Sequence, residues 1–211
     1  MKKVILLLLT LLFSSNILYA QKDTLSVSGL LDELLLLEEQ DAELLPGRMI
    51  PTQAVLWGKK GLMRNFGGFE LTPENREKEL KIRRTMLTAH QVIGFATLGG
   101  MIAQGVVGSK LYDGDYKLIK THQNLATGLN IGYFTTAGLS LFAPPKLIDE
   151  RQGISTIKIH KALAVVHLSG MIATNILAQS IRENPDLRPW HRAAAFTTFG
   201  AYAASMIVIK F

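Results

Sequence analysis

The chain has 211 residues, of which 48% are hydrophobic and 19% are charged, and its mean hydropathy is positive. This balance is more apolar than that of a typical soluble domain, so we expect a lipid bilayer as its partner. The sequence contains no cysteine, which excludes disulfides, thiolate metal sites, iron–sulfur clusters and covalent CxxCH attachment. Its net charge of +6 comes from Lys and Arg at the ends of apolar runs, as in membrane proteins, and does not indicate nucleic-acid binding.

Residues 1–20 have the three-part pattern of a secretory signal peptide. Two lysines precede an apolar run from Val4 to Phe13, and the stretch ends in Leu18-Tyr19-Ala20. The run is too short for a comfortable membrane span, so we predict cleavage after Ala20, with an uncleaved anchor as the alternative. Either form leaves the next segment outside the cytoplasm. The pattern therefore predicts a protein of the inner (plasma) membrane facing a Gram-negative periplasm.

Residues 21–84 are predicted to form a short extracytoplasmic helical segment. Leu30 to Leu45 is predicted to form an amphipathic helix that ends at Pro46-Gly47. Residues 48–69 mix aromatic and basic side chains, which suits either a membrane surface or an ordinary ordered loop. Thr72-Pro73-Glu74 then supplies an N-cap, a proline at the first helical position and an acid in the first turn. A helix is therefore predicted to start here and to run into the first membrane span.

Residues 85–211 contain four apolar segments, each close to the about 20 residues that cross a bilayer. Short polar connections separate them, and such connections force neighbouring helices to be antiparallel. We therefore predict an all-α fold whose main domain is an up-down transmembrane bundle of four helices. The segments are Thr85 to Gly108, Leu118 to Phe142, Thr156 to Ala178 and Trp190 to Ile209.

All five histidines lie in this half of the chain, and four of them fall near the starts of the four segments. These four are His90, His122, His160 and His191, separated by 32, 38 and 31 residues. Steps of seven residues stay near one face of a helix, and seven of the eight residues that two such steps reach are polar. Each helix is therefore predicted to carry a polar stripe facing one shared interior. The stripes comprise Thr97, Leu129, His167 and Thr198, followed by Gln104, Thr136, Thr174 and Ser205.

The alternating directions of the helices decide which histidines meet. The first and third segments run the same way, so His90 and His160 are predicted to pair near one membrane surface. His122 and His191 are predicted to pair near the other surface. At 1.5 Å per residue, the two levels are expected to lie on the order of 15 to 20 Å apart.

A bis-histidine pair in a cysteine-free helical bundle is the ligand set of a b-type haem that transfers electrons. The four histidines are thus predicted metal ligands and cofactor-binding residues for two haems b. The alternative is a set of polar residues at helix ends in the membrane interface. Gly100, Gly132, Gly170 and Gly200 follow the histidines by nine or ten residues, which suits either haem clearance or close helix packing.

His167 does not fit the repeated pattern. Its position, seven residues after His160, allows it to replace that histidine as a ligand or to hydrogen-bond a haem propionate or interior Thr and Asn side chains. We favour a hydrogen-bonded interior histidine, because His160 matches the depth of His90 better.

The pattern resembles the cytochrome b561 superfamily, whose four core helices each carry one haem-ligating histidine, paired first with third and second with fourth. The resemblance covers about residues 85 to 211. It implies His90 and His160 for one haem and His122 and His191 for the other. The stretches that carry it are LTAHQVIGFATLGG, KTHQNLATGLNIG, KIHKALAVVHLSGMIAT and RPWHRAAAFTTFGAYAA.

The predicted function is transmembrane electron transfer, as a carrier or an oxidoreductase of the b561 type, from a quinol or small reductant to an acceptor such as ferric iron or a periplasmic redox partner. Two alternatives remain. One is a non-redox membrane scaffold or assembly protein with interior histidines. The other is a transporter or proton relay, which the scarcity of Asp, Glu, Lys and Arg at the segment centres disfavours.

Overall fold

The computed structural model describes residues 44–147 and 153–210. The predicted signal peptide, residues 1–20, lies outside this part of the chain, as does nearly all of the predicted helix from Leu30 to Leu45. The described residues form two compact units, one of residues 44–82 with Pro144–Leu147 and one of residues 83–143 with 153–210. Every regular element in these residues is helical, which confirms the all-α class for the described part.

The first unit contains helix α1, Pro51–Trp57, a 3-10 helix, Leu62–Asn65, and the first turns of helix α2, Pro73–Tyr112. The predicted helix start is confirmed, since the Asn75 backbone N–H donates to Thr72 Oγ1 at 3.3 Å. Residues 48–69 contain α1 and the 3-10 helix, with bends and turns between and after them. Whether they touch a membrane surface stays a prediction.

A buried cluster of charges holds the first unit together. The Glu79 carboxylate accepts hydrogen bonds from both Arg64 and Arg76, and neither Arg76 nor Glu79 has any exposed side-chain surface. Arg76 also donates to the carbonyls of Leu44, at 2.8 Å, and Pro145, at 3.0 Å. The cluster thus joins segments that are distant in the sequence, and no local sequence pattern predicted it.

The second unit contains the rest of α2 and three further helices: α3, Ile119–Leu141, α4, Thr156–Ser180, and α5, Arg188–Lys210. Their bounds lie close to those of the predicted apolar segments, apart from the early start of α2. The four helices share a core made of Met101, Tyr133, Met171 and Tyr202, one residue from each helix. The predicted polar interior is therefore accompanied by an aromatic and thioether core.

Three helices are long and apolar enough to cross a membrane, namely α2, α4 and α5 with the 3-10 turn before it, Pro185–Ile209. Their outward faces carry large apolar side chains, such as Val92, Val165 and Ile176, that are well exposed. Such faces need a lipid partner, so the chain is a membrane protein. Helix α3 is not among the three, and its first two turns are polar, with Lys120, His122, Gln123 and Asn124.

Candidate metal centres

The structure brings the four helix-start histidines together as two pairs. His90 on α2 faces His160 on α4, with ring centroids 6.4 Å apart and planes at 80°. His122 on α3 faces His191 on α5, with the same centroid distance and planes at 74°. These are the neighbours that antiparallel helices predicted, and their role as metal ligands stays a prediction.

Three of the four rings are oriented by a main-chain carbonyl of an adjacent helix. Nδ1 of His90 lies 2.8 Å from the Thr136 carbonyl, Nδ1 of His160 2.9 Å from Ser205, and Nδ1 of His191 3.0 Å from Thr174. A carbonyl only accepts, so each Nδ1 carries the proton and donates it. Each ring then keeps a lone pair on Nε2, as a histidine does when it binds a metal.

The carbonyls that orient the rings follow one rule of spacing. Thr136, Thr174 and Ser205 each lie fourteen residues after the histidine of their own helix, at the end of the polar stripe. Fourteen residues of α-helix span about 21 Å, so the carbonyl at the end of one stripe reaches the histidine pair at the opposite level. The stripes therefore link the two pairs, which lie about 21 Å apart along the helices.

His122 departs from the rule. The residue fourteen positions after His90 is Gln104, and its side chain, not its carbonyl, meets His122. Gln104 Nε2 lies 3.3 Å from His122 Nε2 and donates to the His122 carbonyl at 3.1 Å. Nδ1 of His122 and Oε1 of Gln104 are the two buried side-chain polar atoms that lack a hydrogen-bond partner among the described residues.

His167 lies between the two levels and is buried, with 9% of its surface exposed. Its Nδ1 and the Tyr133 hydroxyl share a hydrogen bond at 2.5 Å, and its ring lies 5.0 Å from that of Tyr202. The Tyr202 hydroxyl donates in turn to the Gly94 carbonyl at 3.1 Å. His167 is therefore a hydrogen-bonded interior residue, as favoured above, although its partner is a tyrosine and not a Thr or Asn.

Three of the four glycines that follow the histidines by nine or ten residues allow neighbouring helices to pack closely. A Cβ atom on Gly100 or Gly132 would lie 2.7 or 2.9 Å from a side chain of the adjacent helix, and one on Gly170 would lie closer still. Close packing is therefore confirmed for these three, whereas a Cβ on Gly200 would have no atom within 4 Å. The contacts are Gly100 with Leu129, Gly132 with Thr97, and Gly170 with Thr198.

The histidines occur as pairs and not as larger clusters. In the described part of the chain, no group of three or more His, Cys, Asp or Glu side chains converges in a way that could hold a metal ion. A protein site for a free zinc ion uses three or four such ligands. A metal held by one of these pairs would therefore bring its remaining ligands with it.

Sequence reasoning missed several residues around the pairs. Met101, Tyr133, Met171 and Tyr202 each lie eleven residues after a histidine, a regularity that could have indicated a shared core. Gly108 was also missed, and a Cβ there would lie 3.0 Å from Cε1 of His122. Comparisons with family models, curated proteins and solved structures found no match for this chain.

Proposed function

We propose that this protein is a transmembrane electron carrier with two b-type haems, one between His90 and His160 and one between His122 and His191. The observation that carries the proposal is the equal separation of the two pairs, 6.4 Å between ring centroids at both levels. Four separate helices supply the rings, and the same spacing arises twice.

The spacing matches what one metal ion between two imidazoles requires. An imidazole nitrogen binds a transition-metal ion at about 2.0–2.1 Å. With ring bonds of about 1.35 Å, the centre of the ring lies about 1.15 Å from each of its atoms. Two rings that face one ion through nitrogen therefore have centroids about 6.3 Å apart when the atoms are in line. The observed distance supports axial ligation from both sides.

The composition of each pair favours haem over a free ion. Two imidazoles leave most of a coordination sphere to be filled, and a porphyrin supplies the remaining four nitrogens in one plane. The sequence has no cysteine, so a covalently attached c-type haem does not fit. A b-type haem supplies one-electron chemistry when bound, and two axial histidines leave no position for oxygen. The four histidines would hold the group, and main-chain carbonyls orient three of their rings.

The arrangement of the helices suits electron transfer across a membrane. The two histidine levels lie about 21 Å apart along the helices, most of the about 30 Å hydrocarbon core. We propose that α3 crosses as well, because Ile131 and Phe134 on it are 66% and 45% exposed, as expected for lipid contacts. The polar residues at its start would lie at the membrane surface. With residues 21–84 outside the inner membrane, the His90–His160 level is the extracytoplasmic one.

The proposed partners follow from this topology. A quinol or a small reductant donates electrons, and ferric iron or a periplasmic redox protein accepts them, so the chain acts as a transmembrane oxidoreductase. The rival is a non-redox membrane scaffold in which the paired histidines have only a structural role.

Absorbance of the full-length protein, purified in detergent, separates the two. We expect a reduced-minus-oxidised spectrum with b-type bands and about two haems per chain. A colourless protein that stays colourless when expressed with added haem precursor would contradict the proposal and support the scaffold.

Electron paramagnetic resonance gives a second, geometry-specific test. The electron paramagnetic resonance signal of a low-spin ferric haem would depend on the angle between the planes of the two imidazoles that hold it. The ring planes here meet at 80° and 74°. We therefore expect strongly anisotropic low-spin ferric signals from both haems. Signals typical of parallel axial rings would show that the pairs do not ligate as they are arranged here.

A further inference from the structure

Gln104 and His122 each bury a polar atom without a partner, and the two atoms are complementary. His122 Nδ1 is a donor when it carries the ring proton, and Gln104 Oε1 is an acceptor. The two residues are already in contact, since Gln104 Nε2 lies 3.3 Å from His122 Nε2. A buried polar atom that lacks a hydrogen bond costs about 1–3 kcal/mol. The pair is therefore arranged one ring rotation away from a better set of hydrogen bonds.

The other three histidines indicate what that better set is. In each, Nδ1 faces the residue fourteen positions after the histidine of an adjacent helix, through its main-chain carbonyl. Gln104 occupies the corresponding position for His122 and contacts it through its side chain. A half-turn of the His122 ring about Cβ–Cγ brings Nδ1 to the edge that faces Gln104 and turns Nε2 away from it. The assignment of ring and amide atoms depends on such hydrogen bonds.

We propose that Gln104 is a positioning residue for His122, whose Oε1 accepts the Nδ1–H hydrogen bond that main-chain carbonyls accept at the other three ligands. This inference rests on the proposed haem at His122 and His191. Gly108 leaves the space for the ring to turn, because a Cβ there would lie 3.0 Å from Cε1 and 3.4 Å from Nδ1. His122 is thereby the one ligand among the four whose orienting partner is a side chain.

Because the orienting partner of His122 is a side chain, a substitution can change the affinity and potential of one proposed haem and not the other. A hydrogen-bond acceptor on Nδ1 raises the basicity of a ligating imidazole, and loss of such a partner typically costs about 10–100-fold in metal affinity. A more basic ligand stabilises the ferric state over the ferrous state. Removal of the Gln104 amide should thus weaken the binding of the His122–His191 haem and raise its midpoint potential. The other haem should not change.

The experiment compares Gln104→Leu with Gln179→Leu in the full-length protein purified in detergent. Gln179 is the matched control, because it is an exposed glutamine near the end of α4. We expect Gln104→Leu to lose haem from one redox component about 10–100-fold more readily than the wild type does. A tenfold preferential loss of ferric affinity corresponds to a rise of about 59 mV in its midpoint potential. Gln179→Leu should leave both components unchanged.

Gln104→Glu provides a rescue, because it retains an acceptor oxygen at the same reach. We expect it to keep both haems, with the potential of the affected component at or below that of the wild type. Equal behaviour of Gln104→Leu and Gln179→Leu would overturn the inference. Loss of both components together from Gln104→Leu would also overturn it, since that is the result of a general packing role. A wild-type protein without haem would instead show that the proposed function is wrong, before any variant is compared.

Discussion

The two units of this chain bury polar groups by different means. In the unit of residues 44–82 with Pro144–Leu147, the fully buried polar side chains are ions, Arg76 and Glu79, and Arg64 joins them. In the helical unit after Ile82, the buried polar side chains are neutral hydroxyls and one imidazole. They are Thr97, Thr136, His167, Thr198 and Ser205.

The difference is the one expected if the helical unit lies in hydrocarbon. A helix surrounded by hydrocarbon cannot easily hold a buried ion, so its polar groups are neutral and bond to hydroxyls and main-chain carbonyls. The first unit pairs its ions and surrounds them with carbonyls. Loss of one ion leaves an uncompensated charge, whereas loss of one hydroxyl leaves one weak hydrogen bond unmade. The two units should therefore differ in their sensitivity to single substitutions.

The largest effect is expected for Glu79→Ala. It leaves the Arg64 and Arg76 guanidinium groups without a carboxylate, and loss of one partner of a buried pair costs about 3–5 kcal/mol. Trp57 is buried in the same unit, so its emission in a urea titration, in a Trp190→Phe background, measures the free energy of unfolding.

Glu77→Ala is the matched control for this substitution. Glu77 lies two residues earlier on α2 and pairs with Lys81 at the surface, where such pairs contribute about 0.2–1 kcal/mol. Equal losses in the Glu77 and Glu79 variants would show that the buried cluster does not stabilise the unit as described.

An intermediate effect is expected for Gly170→Ala in the helical unit. The added methyl group would overlap the Thr198 side chain, and overpacking of this kind costs about 1–3 kcal/mol. Gly200→Ala is the control, because a Cβ there meets no atom within 4 Å and alanine favours helix by about 0.5–1 kcal/mol. Unfolding of the purified protein in a detergent titration measures both.

Thr198→Ala should partly rescue the Gly170 variant, because it removes the hydroxyl that the new methyl group overlaps. If the double variant is less stable than Gly170→Ala alone, the contact between α4 and α5 is not the cause of the loss.

The smallest effect is expected for Tyr133→Phe. It removes the hydroxyl that shares a hydrogen bond with His167, and interior hydrogen bonds in membrane proteins contribute about 0.6 kcal/mol on average. A double-mutant cycle with His167→Leu should give a coupling energy of this size. A coupling energy near zero would show that the two side chains do not interact in the membrane-embedded protein.

Much of the helical unit could be predicted from the sequence, because its regularities are local. Apolar runs give the helices, and the spacing of His90, His122, His160 and His191 gives the pairs once neighbours are antiparallel. The Thr72 cap was predictable from three adjacent residues. The fourteen-residue stripe indicated Gln104, Thr136, Thr174 and Ser205 as interior residues.

What the sequence did not predict depends on tertiary contacts. The buried Arg64–Glu79–Arg76 cluster joins residues up to fifteen positions apart, and Pro145 reaches it from sixty-nine positions away. Main-chain carbonyls orient three histidines. Every residue has such a carbonyl, so the residue type does not indicate which ones accept these hydrogen bonds. Gln104 contacts His122 through its side chain, whereas the three residues at the corresponding positions contact histidines through their carbonyls. Spacing alone could not distinguish these two kinds of contact.

The pairing of ligands is tested most directly by haem content and potentiometric titration of single His→Ala variants. We predict that His90→Ala and His160→Ala lose the same redox component and that His122→Ala and His191→Ala lose the other. His167→Ala should keep both. Loss of one shared component from the His90 and His122 variants would contradict the pairing, as would loss of haem from His167→Ala with retention in His160→Ala.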